Sequence, residues 1–397
     1  MQVFIAGKGI ISAIGNNTLQ TIESLLMGRS GIKPITILTT HHAFTLPAGE
    51  VKWKNKDLAE IAGLNAKLPR TALLSMIAAK EAIFSSGIED LKQWRTGFIS
   101  ANTAGGMDLT ENFMKDFLKD NAKGQLADVI NHDSGAATDI VATELGIKDH
   151  ITTISTACSS SANSIMYAAR LIKNDILDVA IAGGADSMLR FTLNGFNALN
   201  ILDKDPCTPF DENRKGLNLG EGAGYLVLVS EKVTAAMTNK PNVKLSGYAN
   251  ANDAFHQTAS SAEGKGNYMA MKGALEMSGL SPDDIDYINL HGTGTANNDV
   301  SEGIAIERAF DGRVPKASST KAFTGHTLGA SGVIEAIFSV ISIDKKMIFP
   351  NLRFTSRMKE LSFSPVTSLL ENQSVKHVLS NSFGFGGNCS SLIFSAV

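Results

Sequence analysis

The chain has 397 residues, 43% of them hydrophobic and 19% charged, and its formal net charge is -3 at pH 7. This length suits one large α/β domain or two fused halves of about 200 residues each. The small negative charge argues against a protein that binds nucleic acid by neutralising phosphates, so no nucleic-acid partner is expected. No apolar run approaches about 18 residues, which argues against a membrane span.

The cysteines and the first residues indicate a reducing compartment. Cys158, Cys207 and Cys389 are odd in number and irregular in spacing, which fits neither a disulfide framework nor a CxxC metal pattern. The opening stretch "MQVFIAGKGIISAIG" has no basic segment before its apolar residues and is typical of a first strand rather than a signal peptide. We therefore expect a cytoplasmic globular protein.

Short apolar strands alternate with longer amphipathic segments in the first part of the chain. "VFIAGKGI" predicts a strand, "TALLSMIAAKEAIFSSG" a helix that ends at Gly87, and "WRTGFISANTAGG" a strand that leads into a loop. "DVAIAGGADSM" and "GYLVLVS" are continuous and apolar, as in buried strands. This alternation is typical of a largely parallel sheet covered by helices.

The same rhythm begins again after residue 240. "NVKLSGYANANDA" resembles the opening strand and turn, and it follows a polar stretch that contains Pro241. Helices are predicted at "YMAMKGALEMSGL", "NNDVSEGIAIERAF" and "GASGVIEAIFSVISI", and strands at "IDYINLHG" and "KHVLSNSF". The chain therefore divides into two α/β units, 1–240 and 241–397, that look like duplicates.

Cys158 lies in "ISTACSSSANS", between a β-branched strand and a helical pattern. This predicts a sharp strand-to-helix turn that puts Cys158 on the first turn of the helix, similar to the nucleophile elbow of hydrolases with sulfur in place of oxygen. Free N–H groups and the positive dipole end there would lower the thiol pKa from about 8.5. The turn alone leaves a buried structural cysteine equally open.

Two histidines follow predicted strands or precede helices in similar Gly- and Thr-rich loops. His291 ends the strand of "YINLHGTGTANNDVSE", and His326 lies in "SSTKAFTGHTLGASG", five residues after Lys321. Catalytic groups of parallel sheets collect at the carboxyl ends of strands. Either histidine alone fits a hydrogen-bonded loop residue, but together with Cys158 they indicate two imidazole donors or bases.

A glycine-rich loop is predicted at "SNSFGFGGNCSS" (380–391), after the last predicted strand. Its backbone N–H groups can point at a ligand, and Phe383 and Phe385 could form an apolar gate. The phosphate-binding patterns GxxxxGK[ST] and GxGxxG followed by a helix are both lacking.

Five motifs in order, "TACSSS", "PFDENRKGLNLGEGAG", "HGTGT…ND…E", "STKAFTGHTLGASGVIEA" and "NSFGFGG", resemble the elongating β-ketoacyl-acyl carrier protein synthases. The resemblance runs from the first strand to the last. It implies an α/β, thiolase-like fold with two duplicated halves in a five-layer αβαβα arrangement. It also implies a Cys-His-His active site and an acyl-transferring condensing enzyme of fatty acid or related polyketide and polyene synthesis.

The resemblance also implies a role for each residue of the motifs. Cys158 would accept an acyl chain from a carrier-protein thioester, and His291 and His326 would assist decarboxylation of malonyl-carrier protein and stabilise the enolate. Lys321 and Glu335 would orient His326 and its surroundings.

The remaining implied roles concern substrate contacts. The backbone N–H groups of Cys158 and Phe385 would form the oxyanion hole, and Phe385 would act as a gate between half-reactions. The other gate residues are Phe383, Gly384 and Gly386; Thr293 and Thr295 would bind the pantetheine arm.

The acyl chain and the carrier protein need surfaces of their own. Ala104 in "ANTAGGM" is small where a larger aliphatic residue would close the acyl pocket, so medium or long chains are expected to enter. Lys67 and Arg70 are candidates for contact with the acidic acyl carrier protein. A homodimer is expected, with a heterodimer possible, and neither a cofactor nor a metal is expected.

Three other interpretations compete with this one. A thiolase would lack the paired histidine motifs, and a chain-length-factor-like partner subunit would generally lack the cysteine. A metal-binding protein is disfavoured because the Cys and His residues have no ligand-like spacing along the chain. Two departures from the family pattern stand out: Cys389 where Asn is usual, and Asn218 where a small or apolar residue is usual.

Overall fold

The computed structural model describes residues 1–397 as twelve strands and twelve α-helices, joined by loops and short 3₁₀ turns. The strands are β1 (Val3–Ser12), β2 (Ile32–Lys33), β3 (Ala48–Gly49), β4 (Thr96–Ala101), β5 (His150–Ile154), β6 (Val179–Asp186), β7 (Gly222–Ser230), β8 (Val243–Asn252), β9 (Tyr287–Asn289), β10 (Lys316–Ser318), β11 (His377–Phe383) and β12 (Asn388–Ala396). The helices are α1 (Thr18–Leu26), α2 (Asn55–Ala62), α3 (Arg70–Ser86), α4 (Met107–Phe117), α5 (Ser134–Leu145), α6 (Ser160–Lys173), α7 (Arg190–Ala198), α8 (Glu231–Ala236), α9 (Lys265–Ser278), α10 (Ala296–Ala309), α11 (Lys321–Thr324) and α12 (Ser331–Lys345).

Ten of the strands follow one another in the order β10-β9-β11-β12-β8-β1-β7-β6-β4-β5. The set β1-β7-β6-β4-β5 and the set β8-β12-β11-β9-β10 repeat the same pattern, with antiparallel pairing at the inner strands and parallel pairing at the outer ones. The two sets join only where Phe4 pairs with Lys244. This repeat confirms the predicted duplication; residue 240 itself lies in the loop between α8 and β8.

The helices form three layers around the two five-stranded sets. α3 packs on β1 and β7, and α9 packs on β8 and β12, each on an outer face. α6 and α12 lie between the sets, where α6 contacts β6 and β12 and α12 contacts β7 and β11. The arrangement is the predicted αβαβα sandwich. None of its helices is both long and apolar enough to span a membrane.

The central helix α12 is buried on all sides from Ser331 to Ile343. A helix that is apolar all round is stable only inside a large core, and "GVIEAIFSVISI" has that composition. Its Gly332 allows close approach to α6, because a Cβ there would lie 2.7 Å from the backbone nitrogen of Ala162. The carboxyl group of Glu335 is consequently carried into the middle of the molecule.

The predicted strands and helices are all present, but several elements were not predicted, among them the strands β2, β3, β10 and β12. The helix predicted before Gly87 is α3, and Gly87 caps it in the left-handed conformation with φ 69°. The predicted loop 380–391, however, contains the start of β12, which begins at Asn388. The strand begins with Asn, Cys and two Ser residues, which do not give the apolar pattern of a buried strand. It is nevertheless an inner strand of the sheet, paired with β11 on one edge and β8 on the other.

Arg70, expected at the carrier-protein surface, is only 6% exposed and so cannot serve there. Its Nε and Nη2 donate to the two carboxylate oxygens of Glu221 at 2.9 and 2.7 Å, and Nη2 also donates to the carbonyl of Val51. Glu221 accepts further bonds from the backbone of Val51 and Met188. The pair therefore connects α3 to the start of β7. The expectation for Arg70 was wrong, because its guanidinium is paired with a buried carboxylate inside the protein.

Replacing Arg70 by Ala should lower the free energy of unfolding by about 3–5 kcal/mol, because the carboxylate of Glu221 would stay buried without its partner. Urea unfolding followed by circular dichroism measures the change. Lys67→Ala is the matched control; its exposed side chain predicts a change within about 0.5 kcal/mol. Equal stability of the two variants would contradict the structural role of Arg70.

Candidate active site

Cys158 lies at the turn between β5 and α6, as the sequence predicted, but outside the helix. α6 begins at Ser160, so Cys158 stands two residues before the first helical residue. Ala157 holds φ 53°, a left-handed conformation that is rare for residues other than glycine. Such strain at a nucleophile-bearing turn persists only where the surrounding structure enforces it. Here the backbone N–H and the hydroxyl of Ser160 both donate to the carbonyl of Ala157.

Burial raises the pKa of the Cys158 thiol to about 11. The ammonium of Lys321 and the backbone N–H of Phe385 act in the opposite direction but do not outweigh the loss of water around a side chain that is 6% exposed. The expectation of a lowered pKa was therefore wrong. It considered the helix end alone and not the depth at which the turn lies.

His326 is the direct partner of the cysteine. Its Nε2 lies 3.0 Å from the Cys158 sulfur, and its Nδ1 lies 2.8 Å from the hydroxyl oxygen of Ser331. The backbone is fixed from the other side, because His326 N–H donates to the carbonyl of Asn218 and Gly220 N–H donates to the carbonyl of His326. Burial and Lys321 hold the pKa of His326 well below its usual value, so the imidazole is neutral.

His291 faces His326 edge to face, with ring centroids 5.4 Å apart and an interplanar angle of 84°. Lys321 Nζ donates to the carbonyl of His291 at 2.7 Å, lies 3.2 Å from its Nδ1 and pairs with Glu335. Lys321 and Glu335 thus support His291, not His326 as expected. An ammonium that donates to Nδ1 leaves the ring proton on Nε2, which makes His291 a hydrogen-bond donor.

Two carboxylates from α10, to which the sequence interpretation gave no role, hold the turn that follows His291. Glu302 accepts the backbone N–H groups of His291 and Gly292 at 2.8 and 2.7 Å. Asp299 accepts those of Thr293 and Gly294. The spacing of "NDVSE", with two acids three residues apart on a helix that starts just after the turn, is the signal that could have identified them.

The glycine-rich loop packs directly against the cysteine turn. A Cβ on Gly384 would lie 3.0 Å from the carbonyl oxygen of Thr156 and 3.2 Å from the Cys158 nitrogen, so a larger residue would require the cysteine turn to shift by a few tenths of an ångström. Phe385 stacks on Phe196 with ring centroids 5.7 Å apart. The loop therefore brings a backbone N–H and an aromatic ring to the sulfur.

Two cavities meet at Cys158. The front cavity, of about 270 Å³, reaches from Cys158, His291 and His326 outward past Thr293 and Thr295. The side cavity, of about 210 Å³, is mostly apolar; its lining residues are Thr103, Ala104, Met107, Ala157, Cys158, Phe191, Thr192, Phe196, Leu328 and Phe385. Phe385 lines both cavities and so lies between them, while Phe383 and Gly386 line only the front one.

Both departures from the family pattern have structural partners. The Cys389 thiol donates to Asn267 Oδ1 at 3.1 Å. Its neighbour Asn388, which the sequence interpretation overlooked, accepts three donors on one oxygen, from Ser159, Asn163 and Asn250. This cluster connects the glycine-rich loop to the cysteine turn.

Asn218, the second departure, braces the loop beside it. Its Oδ1 accepts the backbone N–H of Cys207 at 2.7 Å, and its Nδ2 donates to the carbonyls of Asp203 and Asp205 at 3.1 Å. Because its own carbonyl also accepts the backbone N–H of His326, Asn218 links the 203–207 loop to His326.

The donor atoms of Cys158, His291 and His326 lie within 4.8 Å of one another, close enough to ligate a metal ion. The irregular spacing along the chain therefore does not argue against a metal site, contrary to the sequence reasoning. The position of Lys321 does, because its ammonium 3.2 Å from His291 Nδ1 would repel a divalent cation at these ligands.

A buried thiol paired with one imidazole, with a second imidazole held as a donor, defines an acyl-transfer site on a thiolase-like fold. Residues 1–233 match the family described as "Beta-ketoacyl synthase, N-terminal domain", and residues 243–355 match "Beta-ketoacyl synthase, C-terminal domain". The chain belongs to the β-ketoacyl synthase family and is a condensing enzyme that transfers acyl groups and forms carbon–carbon bonds.

Individual relatives agree over the full length. The chain is 33% identical to 3-oxoacyl-[acyl-carrier-protein] synthase 2 of Staphylococcus aureus (strain N315), over 99% of this chain and 98% of that protein. It is 31% identical to nodulation protein E of Rhizobium meliloti (strain 1021), over 100% and 99%. The structure of the ishigamide ketosynthase/chain length factor has a TM-score of 0.93 at 28% identity, covering 100% and 99% of the two chains.

The raised pKa of Cys158 predicts that its alkylation by iodoacetamide accelerates about tenfold per pH unit from pH 7 to 9. The thiolate is the reactive form, and its fraction grows in this way at every pH below a pKa of about 11. Intact-mass spectrometry measures the rate, and Cys158→Ala checks that the buried Cys207 and Cys389 do not react. A rate independent of pH between 6 and 8 would indicate a thiolate–imidazolium pair instead.

Proposed function

We propose that the enzyme moves an acyl chain from an acyl carrier protein to Cys158 and condenses it there with malonyl-carrier protein. The observation that carries this proposal is the neutral Cys158–His326 pair at the meeting point of two cavities. Residues 1–240 supply the cysteine of the site and residues 241–397 both histidines. The printed name of the Staphylococcus aureus relative supports carrier-bound substrates.

The first half-reaction is a thioester exchange. The Cys158 sulfur attacks the incoming carbonyl carbon while His326 Nε2, 3.0 Å away, takes the thiol proton. The negative oxygen of the tetrahedral intermediate is stabilised by the backbone N–H groups of Cys158 and Phe385. Its collapse breaks the bond to the pantetheine sulfur, which leaves with the proton, and the acyl chain stays on Cys158.

The second half-reaction begins with malonyl thioester at the two histidines. Loss of carbon dioxide leaves an enolate whose oxygen carries the developing charge, and the Nε2–H group of His291 is a donor for it. His326 becomes the second donor when its ring proton lies on Nε2, with Nδ1 accepting the hydroxyl proton of Ser331 2.8 Å away. The enolate carbon then attacks the acyl-Cys158 carbonyl, the thioester bond breaks, and the Cys158 sulfur is released as a thiolate that takes up one proton from solvent. Lys321 and Glu335 act as positioning residues through His291.

The two cavities suit the two parts of the substrate. The hydroxyl oxygens of Thr293 and Thr295 lie 2.9 Å apart in the front cavity and offer partners for the amides of a pantetheine arm. The side cavity would hold the acyl chain, with Ala104 in its wall. Phe385 would open the path between the cavities, with Phe383, Gly384 and Gly386 as its surroundings in the gate.

A second subunit fits the edge of the sheet next to the side cavity. β5 is an end strand of the ten-stranded order, and its Ile151 is 39% exposed. Phe191, which lines the side cavity, is 64% exposed. Unpaired edges and exposed apolar side chains are typical of interfaces, so we propose a homodimer. The structure of the ketosynthase ApeO with its chain length factor ApeC, 29% identical, makes a heterodimer the alternative.

For the carrier protein, only Lys67 of the two basic candidates is exposed, and it stays our candidate contact. A role as a non-elongating partner subunit is not favoured, because Cys158, His291 and His326 are all present and in contact distance.

Intact-mass spectrometry of the enzyme with a panel of acyl-carrier proteins tests the nucleophile and the two histidines. Cys158→Ala should acquire no acyl group. His291→Ala should load normally but lose malonyl decarboxylation by about 100-fold or more, because one oxyanion donor is gone. His326→Ala should lose both acyl loading and malonyl decarboxylation, since His326 also contacts the Cys158 sulfur. Acylation of Cys158→Ala at the wild-type rate, or decarboxylation unchanged in both histidine variants, would refute the mechanism.

Ala104→Leu should restrict the acyl chains that load, because three added carbon atoms occupy a cavity of about 210 Å³. We expect at least a tenfold loss for decanoyl and longer chains and little change for acetyl. Loading rates across the chain-length series measure this effect, and the acetyl rate is the internal control. A uniform loss at all lengths would mean that Ala104 does not face the chain.

A further inference from the structure

The front cavity has a single fully charged residue in its wall. Lys215 is the only lysine, arginine, aspartate or glutamate among the residues that line it. The side chain of Lys215 is 71% exposed, which sets it at the outer end, whereas Cys158, His291 and His326 are buried at the inner end. A ligand that enters this cavity therefore meets one positive charge at the rim and no negative charge among the lining residues.

The backbone that carries Lys215 is held rigidly at this rim. The neighbouring Arg214 donates to the carbonyls of Thr295, Asp211 and Ala296 and lies 3.8 Å from Asp299. Its guanidinium is consequently engaged within the protein. Gly216, on the other side of Lys215 in the sequence, is buried in the cavity wall. Lys215 thus projects from a fixed position, while its own charge stays available.

The one partner of Lys215 is a weak one. Its ammonium lies 3.5 Å from Asp205, whose side chain is 72% exposed. Exposed pairs of this kind are screened by water and contribute little, so a ligand anion can displace the aspartate. Asp205 itself is kept near Lys215 because Asn218 holds its carbonyl.

We propose that Lys215 binds the phosphate at the head of the pantetheine arm, a contact that rests on the proposed function. A pantetheine arm is neutral along its length and carries its charge only at that phosphate. When the thioester lies at Cys158 and the arm amides lie near Thr293 and Thr295, the phosphate is at the outer end of the cavity, beside Lys215. The contact forms in substrate and transition state alike, so it acts on KM and not on kcat.

The test compares two small substrates, decanoyl-pantetheine and decanoyl-4′-phosphopantetheine, as acyl donors to Cys158. For the wild-type enzyme we expect kcat/KM to be about threefold to tenfold higher with the phosphorylated donor, through KM, and the preference to shrink as salt is added. Lys215→Gln should abolish the preference, so that the two donors give equal values of kcat/KM. Asp205→Asn, which removes the competing carboxylate, should keep or increase it.

Lys204→Gln is the matched control, because Lys204 is an exposed lysine of the neighbouring loop that does not line the cavity; it should keep the wild-type preference. Decanoyl-carrier protein and decanoyl-coenzyme A both carry the phosphate, and Lys215→Gln should raise KM for both. A wild-type preference that survives in Lys215→Gln overturns the proposal. A rise in KM for decanoyl-carrier protein alone also overturns it, because Lys215 would then contact the carrier protein itself and not the phosphate. Failure of decanoyl-carrier protein to acylate the wild-type enzyme would instead refute the proposed function.

Discussion

The site depends on one buried ion pair, between Lys321 and Glu335. Both side chains are at most 3% exposed, and Lys321 Nζ also reaches the carbonyl and Nδ1 of His291. A buried pair of this kind gains little net stability, but loss of either partner leaves a charge that water cannot reach. The pair therefore constrains α11, α12 and the turn after β9 to one arrangement, and that arrangement fixes the ring proton of His291.

The same ammonium explains why the cysteine and the histidines are uncharged. Burial disfavours every ion in the site, and Lys321 adds a repulsion that lowers the pKa of both His291 and His326. It favours a thiolate at Cys158, but burial outweighs this effect. A neutral thiol next to a neutral imidazole needs no preformed ion pair, since its proton has only to reach the departing sulfur in a thioester exchange.

The features that depend on neighbours along the chain could be predicted from the sequence. The turn at Cys158, the Gly87 cap and the duplicated rhythm of strands and helices follow from local spacing. What failed depends on distant contacts: the pKa of Cys158 is set by the depth of burial, and Arg70 is removed from the surface by Glu221, 151 residues away. The partner of Lys321 was mistaken for the same reason. Lys321 was expected to support His326, which follows it by five residues in the sequence, but it contacts His291, which follows a different strand of the sheet.

The gate that we propose between the two cavities would have to open without disturbing Cys158, and the geometry of the glycine-rich loop meets this requirement. Its two ends are fixed: Gly384 lies against Thr156 and Cys158, and Asn388 is bound to Ser159. Between them, Gly386 and Gly387 both have φ 80°, a conformation that glycine adopts without strain.

A gating motion of the loop would therefore be confined to the turn that carries Phe385. It would break contacts outside the loop, because Gly386 N–H donates to the carbonyl of Gln257 at 2.7 Å and Phe385 stacks on Phe196. In the proposed mechanism, residues 252–257 and α7 would therefore take part in opening the path to the acyl chain.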